Sequence, residues 1–223
     1  MQEAIGQVLS FAVVVAISPI PIVGVVLMLG TPRARSNGPA FLAGWLVGLA
    51  VVGVVVLLVA KGAGADDDGG ASSGVGWLKV ALGAVLIALA VRRWRTRPRG
   101  DGEPELPAWM RAVDEFTASR AAAMGVALSA VNPKNLIMTV GASVAIVQTG
   151  ASAASRFVAL AVFVAIGTVG VAAPLVMFFV SGERAARALE GTKTWLAAHS
   201  SAVMAVVLLV IGAKLLGDGI SIV

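Results

Sequence analysis

The sequence predicts an all-α integral membrane protein with six transmembrane helices, arranged as two inverted three-helix repeats. Three observations support this prediction: an apolar composition, six continuous apolar runs, and a polar break in the first run of each half. Of the 223 residues, 58% are hydrophobic and 13% are charged, whereas a soluble domain has about 25% charged residues. We therefore expect residues 1–223 to form a single transmembrane domain.

The apolar runs approach or exceed the ~20 residues that cross a bilayer as a helix. Between them, 31–39 is predicted to be a short turn because Pro and Gly interrupt it, and 61–74 a flexible linker because Gly, Ser and Ala dominate it. Three consecutive Asp residues in that linker leave a cation site as the alternative. The runs are 4–29, 41–60, 75–91, 121–147, 157–180 and 196–216.

The second run contains two glycines with the spacing of a close helix contact. Gly44 and Gly48 form a Gly-x-x-x-Gly motif, in which small residues let two helix backbones approach each other. The chain has 26 glycines, so a chance occurrence of the motif is the alternative. The motif therefore predicts a close contact between this helix and a neighbouring helix.

The longest polar segment, 92–120, separates the two halves. It begins with an Arg-rich stretch around Trp94, which is typical of a juxtamembrane anchor for anionic lipid headgroups; nucleic-acid binding is the weaker interpretation. Trp109, Val113 and Phe116 then recur at helical spacing with charged residues opposite. This pattern predicts a short amphipathic helix lying on the membrane surface.

The distribution of basic residues predicts the orientation in the membrane. The loops after runs one, three and five hold 2, 7 and 3 Lys or Arg, which gives 12, while the opposite loops and their margins hold 3. Basic loops stay in the cytoplasm. We therefore predict a multi-pass protein of the cytoplasmic membrane, with a cytoplasmic 92–120 segment and both termini extracytoplasmic.

Single-cysteine labelling tests this orientation, because the natural chain has no cysteine. A cysteine at Ser72 is expected to react with an impermeant maleimide added outside intact cells. A cysteine at Ser119, on the predicted cytoplasmic side, is expected to react only after the cells are opened. The reverse pattern at the two positions would show that the orientation is wrong.

Two short polar breaks are the candidate functional feature. Ser18-Pro19-Ile20-Pro21 interrupts the first run and Asn132-Pro133-Lys134-Asn135 interrupts the fourth. Pro removes a helix hydrogen bond, and hydrocarbon does not solvate the Lys134 charge, so broken helices that line a cavity are favoured. A Pro kink with Lys134 reaching towards one interface is the alternative. The candidate substrate-binding residues are Ser18, Pro19, Pro21, Asn132, Pro133, Lys134 and Asn135.

The two halves share landmarks in the same order. Each has a Pro in its broken run, a Phe that opens the second run and a Trp that opens the third. Because three helices is an odd number, the second copy enters the membrane from the opposite side, which is the plan of many secondary transporters. The predicted repeats are 4–91 and 121–216. The landmarks are Pro19, Phe41 and Trp77, then Pro133, Phe157 and Trp195.

These breaks, the chain length and the Arg-rich central loop resemble the lysine-exporter (LysE) superfamily of small transporters. Within it, the chain is most similar to the GAP branch, the glycolipid- and sulfolipid-addressing proteins of actinobacterial envelopes. The resemblance extends over the whole chain and implies two three-helix repeats. It also implies a role in moving an envelope glycolipid across the cytoplasmic membrane, and it assigns no catalytic residue.

The composition excludes several kinds of chemistry. The chain has no Cys and one His, which argues against thiol relays and multi-histidine metal sites. No acidic residue falls inside any predicted run, so transport of a hard metal ion is disfavoured. There is no Gly-x-x-x-x-Gly-Lys-Ser/Thr loop for ATP, and no nucleophile–base pair can be assembled. We expect no enzymatic activity, no cofactor, no resident metal and no nucleic-acid partner.

Three functions remain open. The first is an exporter or flippase-like transporter of an anionic amphipathic lipid, with Lys134 beside the headgroup. The second is an exporter of small amino acids or metabolites, which lacks a visible acidic partner for a zwitterion. The third is a membrane scaffold that recruits lipid-synthesis enzymes through 92–115. The expected partners are membrane lipids, an anionic glycolipid and proteins of envelope-lipid synthesis or export; homo-oligomerisation stays open.

Overall fold

The computed structural model describes residues 1–62, 73–96, 113–181 and 183–223, and all regular structure in these ranges is helical. The all-α prediction is therefore confirmed for the described part of the chain. A 3₁₀ turn, Val113–Glu115, precedes the fifth α-helix, and the π-helical segment Ala127–Val131 follows that helix directly. The α-helices are α1 Gln2–Ala16, α2 Pro19–Leu29, α3 Ala34–Gly62, α4 Ser73–Arg95, α5 Ala118–Val126, α6 Pro133–Gln148, α7 Ala153–Ser181 and α8 Glu183–Ile220.

The helices include several candidate membrane spans. Ala34–Ala60, Ala153–Ser181 and Ser201–Ile220 are each long and apolar enough to cross a bilayer, and the number rises to five if each of two bent helix pairs is one span. The protein is thus a multi-pass membrane protein. Helix α4, the predicted third span, has three basic residues in its last turn and is not among these candidates, so a count of six spans stays a prediction.

Both predicted breaks are present as bends between consecutive helices. The axes of α1 and α2 differ by 51°, and those of the α5 segment and α6 by 60°. Each second helix has Pro at its first position, where the missing backbone N–H removes no intrahelical bond. In the second break the π-helical segment shifts the hydrogen-bond pattern, so that the Asn132 N–H donates to Ala127 O at 3.2 Å.

The predicted turn over 31–39 is wrong in its length. Helix α3 begins at Ala34 and contains Pro39. Tertiary contacts hold this first part of the helix, because the buried Asn37 Nδ2 donates to Phe116 O at 2.9 Å. Breaker residues indicate a turn only where no such contact stabilises the helix.

The predicted surface helix falls mostly outside the described residues, as does most of the 61–74 linker. Val113 and Phe116 are the two described residues of the apolar pattern that predicted the surface helix. They are 2% and 7% exposed and belong to the core. They therefore pack inside the protein instead of lying on the membrane. Helix α8 begins at Glu183, 13 residues before the predicted sixth run.

Each half packs its broken helix pair against the second helix of the other half. Helix α1 packs on α7 of the second half, and α5 packs on α3 of the first half; likewise α2 contacts α7 and α6 contacts α3. The most extensive interface joins α4 to α8. Each broken pair therefore lies against the second helix of the opposite half, which places the two breaks side by side.

Glycines permit the closest of these approaches. A Cβ on Gly125 of α5 would overlap the backbone of Phe41 in α3, and one on Gly44 would overlap the backbone of Ala122. On the other side, a Cβ on Gly170 of α7 would overlap Ala16 O at the end of α1. The close contact expected of Gly44 is thus found in the structure.

Candidate functional site

The two breaks meet through Lys134. Its ammonium donates to Val14 O at 2.7 Å and to the Ser18 hydroxyl. Lys134 is only 4% exposed and Ser18 only 1%. A side chain from the second break is thus bonded to both the end of α1 and the residue that precedes α2.

Asn135 completes the contact between the breaks. The Ser18 Oγ lies 3.2 Å from Asn135 Oδ1 and 2.5 Å from Val15 O, and its one proton serves either acceptor. The Asn135 Nδ2 donates to Leu128 O at 2.8 Å, in the π-helical segment. Asn135 is fully buried. Its amide connects Ser18 of the first break to Leu128, which lies in the last turn before the second break.

The electrostatics of this cluster rest on backbone carbonyls. Val14 lies in the last turn of α1, where the carbonyl ends of the helix favour a positive charge. Among the residues described by the structure, no carboxylate lies within salt-bridge distance of the Lys134 ammonium. The cluster therefore solvates a cation with dipoles and leaves its charge without a counterion.

The remaining predicted site residues shape the breaks. Asn132 is half-buried, and its Oδ1 accepts from the Lys134 backbone N–H at 3.1 Å, as a helix N-cap does. Pro19 and Pro21 are buried in α2, whereas Pro133 is exposed. The structure thus brings Ser18, Lys134 and Asn135 side chains together and places the other four around them.

Sequence reasoning missed a polar stripe on α6. Asn135, Thr139 and Ser143 follow at intervals of four residues and are all fully buried. Thr139 Oγ1 donates to Asn135 O at 2.8 Å, and Ser143 Oγ donates to Gly53 O at 3.3 Å. Residues four apart lie on one helix face, so this spacing was the signal available in the sequence.

No acidic residue lies inside a predicted run, but the helices extend beyond the runs and include Glu3 in α1 and Asp218 in α8. Helix α8 continues to Ile220, and the candidate span Ser201–Ile220 contains Asp218. The Lys214 Nζ lies 2.6 Å from Asp218 Oδ2. This pair four residues apart supports one more helical turn than the apolar run indicated.

The side chains at the breaks are suited to recognition of a polar ligand. The three side chains supply an ammonium, an amide and a hydroxyl in a buried setting. An ammonium and an amide N–H₂ are donors, and charge-assisted donors bind anionic oxygens more strongly than neutral ones do. Such a group suits the headgroup of an anionic or polar molecule.

Comparison with known proteins agrees with the resemblance drawn from the motifs. A family model described as "Sap, sulfolipid-1-addressing protein" matches residues 8–221. Neither a curated protein nor a solved structure matches the chain. The matched range includes both breaks and nearly all of the described helices, which confirms the similarity to the sulfolipid-addressing branch.

Proposed function

Because the chain belongs to the sulfolipid-1-addressing protein family, we propose that it moves an anionic amphipathic lipid, an envelope glycolipid, across the cytoplasmic membrane. The observation that carries this proposal is the buried Lys134 ammonium at the junction of two broken helix pairs. A transporter of an anion needs a positive group within the membrane that meets its substrate and releases it again.

In the part of the chain that the structure describes, no acidic residue neutralises the Lys134 charge. A Lys at the centre of a membrane helix costs at least about 2.5–3.5 kcal/mol on insertion scales. Val14 O and the Ser18 hydroxyl offset part of this cost, but they carry no net charge. An anionic headgroup supplies the counterion, so substrate binding at Lys134 is favoured over binding of an uncharged lipid.

The same contacts couple binding to movement. Both partners of the Lys134 ammonium belong to the opposite broken pair. A headgroup that takes their place on the ammonium removes a link between the two halves. In our proposal Ser18 and Asn135 then hydrogen-bond the headgroup, Asn132 caps α6, and the prolines keep the breaks in place.

The exchanged packing supports an inverted repeat. If the halves are swapped, the contacts of α1 with α7 and of α5 with α3 are exchanged, while the α4–α8 interface maps onto itself. Such a relation is expected of two copies with a two-fold axis in the membrane plane, and rocking of one copy against the other gives alternating access. We therefore expect 4–91 to superpose on 121–216.

A vesicle assay tests this function. Purified protein is reconstituted with a fluorescent sulfated galactosylceramide, and an impermeant quencher reports the exchange of the lipid between leaflets. We expect the protein to accelerate exchange of the sulfated lipid about tenfold or more over its uncharged parent, the size of one charge-assisted hydrogen bond. Acceleration of neither lipid would contradict transport, and equal acceleration of both would contradict a role for charge.

A further inference from the structure

A polar cavity lies at the end of the protein that carries both termini. Its volume is about 280 Å³, and α1, α4, α6 and α8 all contribute to its wall. Gln7 precedes Val14, the α1 residue that contacts Lys134, by seven residues, about 10 Å along the helix. This mouth cavity is therefore separate from the Lys134 cluster. The residues that matter here are Glu3, Gln7, Lys79, Gln148, Lys214 and Asp218.

The charges in the mouth cavity leave one ammonium unmatched. Lys214 pairs with Asp218 at 2.6 Å, and the exposed Glu3 lies in the first turn of α1, where a carboxylate interacts with the helix N-terminus. Lys79 is half-buried. Within the described ranges, no carboxylate reaches salt-bridge distance of its ammonium, although Asp218 and Lys214 are its charged neighbours.

The wall of the cavity becomes apolar towards the interior. A narrow extension of about 20 Å³ shares Lys79 and Lys214 with the mouth cavity and continues between Phe11, Leu82 and Leu215. The ring of Phe11 lies against Gly141 of α6, one turn of α1 before Val14. This extension has room for about one water molecule, so a ligand in the mouth cavity reaches the apolar wall with no more than a small group.

We propose that the mouth cavity is a second headgroup site, in which the Lys79 ammonium binds the anionic head of an amphipathic lipid. This inference rests on the proposed function for the identity of the lipid. On the predicted orientation the cavity is extracytoplasmic, so an exported lipid occupies it after leaving Lys134. Lys214 and Asp218 pair with each other, which leaves the Lys79 ammonium available to the headgroup.

Equilibrium binding tests the site without any transport step. Native mass spectrometry of the full-length protein in nanodiscs measures retention of 3-sulfogalactosylceramide. We expect Lys79→Gln to weaken binding about tenfold or more, since one charge-assisted bond is lost. Arg156→Gln removes one positive charge at the same end but outside the cavity, and it is expected to bind like the parent.

Two comparisons define the ligand. Galactosylceramide without sulfate is expected to bind much more weakly than the sulfated lipid, and so is soluble galactose 3-sulfate, which lacks the apolar body. Unchanged binding in Lys79→Gln would overturn the site, and tight binding of the soluble headgroup would overturn the amphipathic ligand. If the parent fails to transport but Lys79→Gln weakens binding, the mouth site stands without the transport function.

Discussion

Lys134→Met is expected to lower the initial rate of sulfated-lipid exchange in vesicles by about tenfold or more, because the counterion of the headgroup is lost. Methionine keeps the length and apolar volume of the side chain. The melting temperature is expected to stay the same or to rise, since an apolar side chain carries no desolvation cost in this buried position. Exchange rate and melting temperature are measured on the same preparation.

Two companion variants sharpen this test. Lys134→Glu is expected to transport more slowly than Lys134→Met, because its carboxylate repels the headgroup. Thr139→Val removes a buried hydroxyl one turn after Asn135 in α6 without changing charge, and it is expected to transport close to the parent rate. Transport by Lys134→Met at the parent rate would leave the ammonium with a structural role only.

Gly125→Ala is expected to destabilise the fold more than any other single added methyl group on α5. The new Cβ would overlap Phe41 O and crowd Trp45 N, and backbone atoms cannot yield by changing rotamer. Overpacking of this kind costs about 1–3 kcal/mol, which lowers the melting temperature by about 2–12 °C in a chain of this size.

The matched control is Gly6→Ala in α1, where no atom lies within 4 Å of the added Cβ. Alanine favours helix over glycine, so the control is expected to melt at the parent temperature or above. Thermal unfolding in detergent, followed by circular dichroism, measures both variants. A similar melting temperature for the two would mean that α3 and α5 do not pack as closely as described.

The positions of the two breaks were predictable because they depend on local chemistry. Pro at the first position of α2 and of α6 fixes where each new helix begins, and the sequence alone identifies both positions. The sequence predicted that Ser18, Lys134 and Asn135 lie in one site, but it did not predict which atoms form the hydrogen bonds. Its acceptors, such as Val14 O and Leu128 O, are backbone atoms that carry no sequence signal.

The errors arose where contacts distant in sequence outweighed local preference. Pro39 indicated a turn, but the bond from Asn37 to Phe116 O spans 79 residues and holds α3 in helical form. Helix α8 also continues past the predicted run, which ends at 216, and includes Asp218. The pairing of Asp218 with Lys214 brings both side chains to the mouth cavity, which depends on the packing of α4 against α8.

Photo-cross-linking of the headgroup tests the central claim most directly, namely that Lys134 meets the anionic lipid at the junction of the breaks. A sulfated galactosylceramide with a diazirine on its sugar is irradiated during turnover in vesicles, and adducts are mapped by mass spectrometry. We predict adducts in 14–18 and 129–135 that excess unlabelled sulfated lipid suppresses and that Lys134→Met loses. Adducts confined to lipid-facing helix surfaces, and unchanged in Lys134→Met, would contradict the account.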